Sequence, residues 1–260
     1  MGSMVSSLVF QPPPTTFLHE KKHFWLQTRN HNRIPVFHVD RSSQFTVLFS
    51  HGNAEDLGLI YEWFYDFSRQ LNVNVLAYEY AGYGKSEGSQ SEDNCYADIR
   101  AAYDYLTQQK SISSKQIILY GRSLGSGPTC QLAEELAGEN IQLGGVILQS
   151  PLASAFRVAF DFRYTLPGDL FPNIDRMPNI RCPVFIIHGT RDEVVPFWHG
   201  ERLFFATPTK WRAKPFWVDG AGHNNIEVLL REDGTLFDRM TDFLDEWCRN
   251  DFSGDAKTPV

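Results

Sequence analysis

The chain has 260 residues, a formal net charge of −7, 42% hydrophobic residues and 14% aromatic residues. The negative charge argues against a protein that binds nucleic-acid backbones, and the apolar content is too high for a disordered chain. No uncharged apolar run reaches the length of a membrane span, so we expect one globular domain.

The cysteines and the N-terminus indicate an intracellular protein. The four cysteines are too few for a disulfide scaffold, and none has metal-ligand spacing; they are Cys95, Cys130, Cys182 and Cys248. The first ten residues lack the basic start and apolar core of a secretory signal. We therefore expect a cytoplasmic protein that needs neither a metal nor a cofactor.

Residues 1–44 are predicted to form an N-terminal arm with a β-hairpin. The first 35 residues hold four basic side chains against one acidic side chain, and three consecutive prolines at 12–14 exclude a helix. Residues 24–29 and 34–39 have the pattern of two paired strands, in which Pro35 requires an edge position. The basic arm is suited to packing on the domain or to facing an anionic surface.

From residue 45 to residue 250, short apolar runs alternate with segments of helical period. Strands are predicted at 45–49, 73–78, 117–120, 146–148, 184–187 and 216–218. Helices are predicted at 57–71, 91–109, 124–137, 197–205 and 226–247, the last with a break at Asp233-Gly234. This alternation predicts an α/β fold, with a mostly parallel central sheet and helices on both faces. Residues 251–260 are expected to form a flexible tail.

Two stretches match the GxSxG pattern of a serine nucleophile, at 121–125 and 84–88. The glycines of this pattern allow a tight strand-to-helix turn that exposes the serine. Ser123 directly follows a predicted strand and opens a helix, whereas Ser86 lies in a glycine-rich loop. We therefore predict that Ser123 is the nucleophile.

Two other pattern matches are interpreted as coincidences. Residues 84–86 resemble the end of a phosphate-binding loop, but Glu79 stands where that loop needs a glycine. Residues 19–23 match the zinc motif HExxH through His19, Glu20 and His23, but prolines and a predicted strand flank them. A solvated charged segment is the simpler interpretation of residues 19–23.

A serine nucleophile needs a base and an orienting carboxylate, in the chain order Ser, acid, His for this architecture. Asp192 and His223 each follow a predicted strand, so they lie at the carboxyl edge of the sheet with Ser123. They are the predicted acid and base. Asp219 and Glu193 remain alternative acids.

The predicted oxyanion hole consists of the backbone N–H groups of Asn53 and Leu124. Asn53 follows the strand at 45–49 through His51 and Gly52, and Leu124 follows the nucleophile. An alternative or additional role for Asn53 is to cap a helix that begins near Ala54.

A 30-residue connection, 151–180, joins two predicted strands and overhangs the nucleophile as a short lid-like insertion. Its aromatic side chains predict a shallow groove for an acyl chain, with Phe156, Phe160 and Phe171 as its walls. Packing of the same side chains in the core is the alternative.

Eight stretches together resemble the α/β-hydrolase domain-containing protein 17 group of the α/β-hydrolase superfamily, over about residues 45–250. They are HGNAEDLG (51–58), YEYAGYGKSEG (78–88), YADIRAAYDYL (96–106), IILYGRSLGSGPT (117–129), SPLASAFRVAF (150–160), FPNI (171–174), FIIHGTRDEV (185–194) and GAGHNNIE (220–227). The resemblance implies an α/β-hydrolase fold and a serine hydrolase that removes palmitate from protein cysteines. It implies Ser123 as nucleophile, Asp192 as acid and His223 as base.

S-acylated proteins are the substrates that this resemblance implies. A small-ester carboxylesterase is the alternative within the class, and a catalytically idle interaction protein is the alternative outside it.

The N-terminus departs from the pattern of this group, which usually carries an acylated cysteine cluster. This chain has no cysteine before Cys95, but residues 1–6 fit the N-myristoylation pattern. The same letters fit a short added leader in front of Met4 equally well. The expected membrane contact is peripheral, through the N-terminal arm at the cytoplasmic face.

Overall fold

The computed structural model describes residues 9–16, 22–160, 164–231 and 234–249. Its strands are β1 Phe24–Gln27, β2 Arg33–Val39, β3 Thr46–Ser50, β4 Asn74–Tyr78, β5 Ile117–Arg122, β6 Gly145–Gln149, β7 Val184–Gly189 and β8 Phe216–Val218. Within the described residues these strands form one sheet, in the order β1-β2-β4-β3-β5-β6-β7-β8. The strands β3 to β8 pair in parallel, which confirms the six predicted strands and the mostly parallel sheet.

The predicted N-terminal hairpin is confirmed, and it belongs to the same sheet as the other strands. The strand β1 pairs antiparallel with β2, and β2 pairs antiparallel with β4. The predicted edge position of Pro35 is therefore wrong, because β2 has a neighbour on each side. The Pro35 carbonyl accepts from the Glu79 amide, one residue past the end of β4. In an antiparallel pair the N–H and C=O of one residue point to the same neighbouring strand, so the N–H that Pro35 lacks would also have pointed towards Glu79. Only the last hydrogen bond between β2 and β4 is therefore missing.

The helices lie between the strands, close to where the sequence predicts them. They are α1 Leu57–Leu71, α2 Glu92–Asp104 with a π-helical continuation Tyr105–Gln109, α3 Ser126–Gly138, α4 Ala155–Ala159, α5 Asn173–Arg176, α6 Trp198–Ala206, α7 Ile226–Arg231 and α8 Thr235–Phe243 with a π-helical continuation Leu244–Arg249. The predicted break near residue 234 is confirmed, since Gly234 has a φ of +75° between α7 and α8. No helix in the described ranges is both long enough and apolar enough to span a membrane.

Alternate strand residues pack on opposite faces of the sheet. In β3, Leu48 contacts the core that contains α2, α3 and α6, whereas Val47 and Phe49 contact the core that contains α1 and α8. Both faces are therefore buried, and every residue of β3 to β7 except Arg122 is buried. This burial explains why the parallel strands are apolar runs without alternation.

The first helix has the bounds that the spacing of its apolar residues predicts, Leu57–Leu71. Asp56 is the N-cap of α1, and its carboxylate accepts from the Leu59 amide at 3.1 Å. The alternative capping role of Asn53 is therefore wrong. Helix α1 ends at Asn72, whose left-handed backbone conformation closes the last turn.

The turn after β5 lies directly against the end of β3. A Cβ atom on Gly125 would lie 2.0 Å from the carbonyl oxygen of Ser50. A Cβ atom on Gly121 would lie 2.6 Å from the carbonyl oxygen of Gly125. Only glycine allows the backbone to approach this closely, so both glycines of the GxSxG pattern are sterically required.

We predict that Gly125→Ala destabilises the protein by about 3 kcal/mol or more, because the new methyl group meets backbone that cannot move aside. The matched control is Gly138→Ala in the last turn of α3, where a Cβ atom meets nothing within 4 Å. This control should be neutral or stabilising by up to about 1 kcal/mol. Urea denaturation measures both, and equal stabilities of the two variants would contradict the prediction.

Candidate active site

Ser123 lies on a strained turn between β5 and α3. Its φ is +52°, in the left-handed region that non-glycine residues rarely adopt. A short 3₁₀ turn, Ser123–Gly125, follows and leads directly into α3. This strand, turn and helix sequence exposes the serine side chain at the carboxyl edge of the sheet.

The second GxSxG match has a different local structure. Ser86 lies in the loop between β4 and α2, and its amide donates to the Tyr83 carbonyl at 2.8 Å. Its Oγ atom has no hydrogen-bond partner among the described residues. No base is therefore hydrogen-bonded to Ser86 in the part of the chain that the structure describes.

The predicted triad residues meet in one hydrogen-bonded chain. The Nε2 atom of His223 lies 2.9 Å from the Ser123 Oγ atom, and its Nδ1 atom lies 2.7 Å from an Asp192 oxygen. A carboxylate only accepts, so Nδ1 carries the proton and Nε2 is free to accept from the serine. The three residues follow β5, β7 and β8, so the parallel sheet brings them to one edge.

The Asp192 carboxylate is held from several directions. One oxygen accepts from the amides of Val194 and Val195, and the other contacts His223 and lies 3.2 Å from Nε2 of His188. Burial alone would raise the pKa of Asp192, but the contacts with His188 and His223 and the amide bonds outweigh burial and hold it well below its ordinary value. The carboxylate is therefore ionised in the folded protein throughout the neutral range.

The alternative acids do not occupy this position. Asp219 is exposed and accepts from the Thr190 hydroxyl at 3.2 Å, and Glu193 is exposed beside Gly222. His188, in contrast, was missed in the sequence. It is a fully buried histidine within the otherwise apolar strand β7, and that position was the available signal.

The loop that carries Asn53 lies beside the nucleophile. A Cβ atom on Gly52 would lie 3.8 Å from the Ser123 Cβ atom. The Asn53 side chain accepts from the Gln11 amide and the Tyr83 hydroxyl, and it donates to the Val9 carbonyl at 2.7 Å. Asn53 thus ties the N-terminal segment to this loop, a role that the sequence did not suggest.

Leu124 is in the first turn of the helix that follows the nucleophile. Amides of a first helical turn have no partner inside the helix, so the Leu124 N–H is available to a ligand. Asn53 follows Gly52 in the loop after β3, and Leu124 follows Ser123 in the 3₁₀ turn, so the two residues belong to the segments next to the nucleophile.

A buried ion pair lies beneath the loop. Nε2 of His51 is 2.8 Å from a Glu79 oxygen, and the other ring nitrogen is 2.8 Å from the Gly52 carbonyl. Burial alone would lower the pKa of His51, but the neighbouring Glu79 carboxylate outweighs it and raises the pKa. The Tyr80 hydroxyl donates to the His51 carbonyl at 2.7 Å, which adds a further contact to this residue.

The three predicted groove residues have different environments. Phe156 is half-buried, and Phe160 is 59% exposed. Phe171 is completely buried against Gly127 and the ring of Phe10. The predicted groove position of Phe171 is therefore wrong, because a side chain enclosed in the core has no surface to offer an acyl chain.

Several predicted features fall outside the described residues. They are residues 1–6 with the myristoylation pattern, His19 and Glu20 of the HExxH match, Asp233, and the tail 251–260. Among the described residues, no group of three or more His, Cys, Asp or Glu side chains could hold a metal ion.

Comparisons with known proteins agree with this architecture. Residues 41–167 match a family model described as serine aminopeptidase, S33. The esterase Pf2001 of Pyrococcus furiosus has a similar fold, with a TM-score of 0.72 at 20% identity, covering 92% of this chain and 98% of the esterase. This likeness concerns the fold alone.

Three relatives resemble the chain more closely in sequence. The α/β hydrolase domain-containing protein aho-3 of Caenorhabditis elegans is 37% identical over 94% of this chain and 78% of its own length. The α/β hydrolase domain-containing protein 17B of Xenopus laevis is 42% identical over 85% of this chain and 74% of its own length. The chain spans 64% of the length of the 17C protein of Mus musculus, at 44% identity. The chain therefore belongs to the α/β-hydrolase domain-containing protein 17 family of α/β hydrolases.

Proposed function

We propose that this α/β hydrolase is a serine hydrolase that cleaves acyl thioesters and esters. The observation that supports this most strongly is the chain of two hydrogen bonds from Ser123 through His223 to Asp192. Nucleophile, base and orienting acid are then Ser123, His223 and Asp192.

In the first step, Ser123 Oγ bonds to the acyl carbon while its proton passes to Nε2 of His223. The oxyanion that forms is held by the N–H groups of Asn53 and Leu124. Collapse of this intermediate breaks the carbon–sulfur or carbon–oxygen bond, and His223 returns the proton to the leaving atom. Water then attacks the acyl-serine by the same route, which releases the acid and restores Ser123.

The proposed substrates are long acyl chains on protein cysteines. The connection after β6 exposes Phe160, Tyr164 and Leu166, which are 59%, 79% and 38% exposed. Apolar side chains are also exposed just after the acid and the base, at Val194 and Val228. Exposed apolar side chains in these connections would suit an acyl chain that stays attached to a large protein.

A thioester also suits the triad chemically. A cysteine thiolate is a good leaving group, with an ordinary pKa near 8.5, so its departure needs less proton transfer than that of an amine. In the proposed reaction the apolar surface selects the acyl chain, and the triad acts on the thioester carbon.

The first test of this proposal compares the two GxSxG serines. Ser123→Ala should lower kcat on a thioester substrate by on the order of 10⁴-fold or more, because the nucleophile is lost. Ser86→Ala should keep the wild-type rate. Labelling with a fluorophosphonate probe measures the same difference directly. Loss of activity in the Ser86 variant alone would disprove the assignment.

The second test concerns the acid. Asp192→Asn should lower kcat by on the order of 10³–10⁴-fold, because an amide does not hold the Nδ1–H tautomer of His223. Asp219→Asn is the control and should remain active. The reverse result would make Asp219 the acid.

The same variant has a predictable effect on stability. The pKa of Asp192 is depressed in the folded protein, so its carboxylate stabilises the fold above the unfolded value of about 3.9. That contribution is lost as the pH falls from there towards the lower folded pKa. The stability difference between wild type and Asp192→Asn should be constant from about pH 8 to about pH 5 and shrink below about pH 4. Urea denaturation at each pH measures it, and a difference that persists in acid would contradict the depressed pKa.

The third test concerns the acyl chain. An octanoyl thioester has six more methylenes than an acetyl thioester, and half-burial at about 0.8 kcal/mol per methylene gives a kcat/KM roughly 50-fold higher. Phe160→Ala should narrow this gap. Phe205→Ala is the matched control, because Phe205 is 69% exposed but lies at the far end of α6. Equal or faster turnover of the acetyl substrate by the wild type would instead identify a small-ester carboxylesterase.

A further inference from the structure

Arg122 joins the three segments that form the proposed active site. Its guanidinium binds both oxygens of Glu55, with Nε 3.1 Å from one of them, and its Nη1 atom lies 2.5 Å from Glu227. Glu55 ends the loop that carries Asn53, Arg122 precedes Ser123, and Glu227 lies on α7, four residues after His223. The three side chains are largely buried, with exposed fractions of 25%, 15% and 16%.

The carboxylates of Glu55 and Glu227 each accept a second hydrogen bond, from another part of the site. Glu55 accepts from the Gly52 amide at 2.7 Å, so it fixes the His51–Gly52 peptide, which lies one peptide before the Asn53 N–H. Glu227 accepts from the Gln149 side chain at 2.7 Å, which ties α7 to the end of β6. One arginine thus connects the loop on one side of the nucleophile with the helix on the other side.

The charges give this connection a definite geometry. The planar guanidinium offers two parallel N–H donors that match the two oxygens of a carboxylate. A lysine ammonium does not provide this bidentate geometry. Burial favours the neutral form of Glu55, but the charge of Arg122 outweighs it and lowers the pKa of this carboxyl. Without the arginine, two carboxylates would face one another in a poorly solvated site and repel.

We propose that Arg122 is a positioning residue. It holds two segments at fixed places around Ser123: the oxyanion loop, residues 51–56, which carries Asn53, and the segment 223–227, which carries His223. This inference rests on the proposed serine-hydrolase function and extends it to a residue outside the triad. Arg122 acts through Gly52 on the oxyanion donors and through Glu227 on the segment that contains His223.

The chain offers a matched control on its surface. Arg100 contacts three carboxylates, those of Asp104, Glu135 and Glu139, and connects α2 with α3 away from the triad. Arg100→Gln removes a comparable ionic cluster without touching the site. A purely structural role would therefore give Arg122→Gln and Arg100→Gln similar kinetic behaviour.

The experiment measures kcat, KM and inhibition by a trifluoromethyl ketone, whose adduct with the serine carries the oxyanion. Arg122→Gln should lower kcat about 100-fold, comparable to losing an oxyanion donor, with less than a threefold change in KM. The inhibitor should bind weaker by a similar factor. Arg100→Gln should keep wild-type values of all three quantities.

A second variant tests the route through Glu55 and remains informative if Arg122→Gln fails to fold. Glu55→Gln should lower kcat and inhibitor affinity in the same proportion, and the double variant should be no worse than the more severe single variant. Wild-type kcat in Glu55→Gln, or equal kinetics of Arg122→Gln and Arg100→Gln, would overturn the proposal. These outcomes differ from failure of the proposed function, in which Ser123→Ala itself would remain active.

Discussion

The close approach of the turn Ser123–Gly125 to the end of β3 is the constraint on which the site depends. Gly125 lies so near the Ser50 carbonyl that no side chain fits, and Ser123 is held at a φ of +52°. A single strained residue persists only when its surroundings determine its conformation. Here β5 lies in the interior of the sheet between β3 and β6, so the strand cannot relax without breaking two ladders.

The parallel sheet then turns this local constraint into a shared site. The carboxyl ends of β3, β5, β7 and β8 lie on the same side of the sheet, and the segments that follow these strands carry Asn53, Ser123, Asp192 and His223. Residues that are 100 positions apart in sequence, such as Ser123 and His223, therefore meet at 2.9 Å. The order of the strands, more than any individual contact, determines which loops meet.

Features that depend on local sequence could be predicted, and features that depend on distant partners could not. The positions of Ser123, Asp192 and His223 could be predicted because each lies within a few residues of the end of an apolar run, which is visible in the sequence. The alternative of Asn53 as a helix cap could not be decided from the sequence because Asn and Asp are both good caps, and only the structure shows that distant residues, Val9 and Gln11, bind Asn53.

Burial and long-range ion pairs are the least visible features in a sequence. Phe171 is an aromatic side chain of the kind that lines an acyl groove, so the sequence allows that role. Its position against Gly127 instead follows from how the connection 151–180 folds back on α3. The contacts of Arg122 join residues 67 and 105 positions away, and no periodicity predicts them. Pro35 was misjudged for a related reason, since its tolerance depends on where β4 ends.

Two buried clusters of charged side chains near the site restrain the positions of the loops around Ser123. His51 with Glu79 lies under the oxyanion loop, and Arg122 with Glu55 and Glu227 lies beside it. Buried pairs contribute little net stability because desolvation offsets their attraction, but removing one partner costs about 3–5 kcal/mol. Any movement that separates the partners is opposed by a similar penalty. The main effect of these contacts is thus to fix the positions of the loops around Ser123. The free energy of folding comes mainly from the apolar cores on the two faces of the sheet.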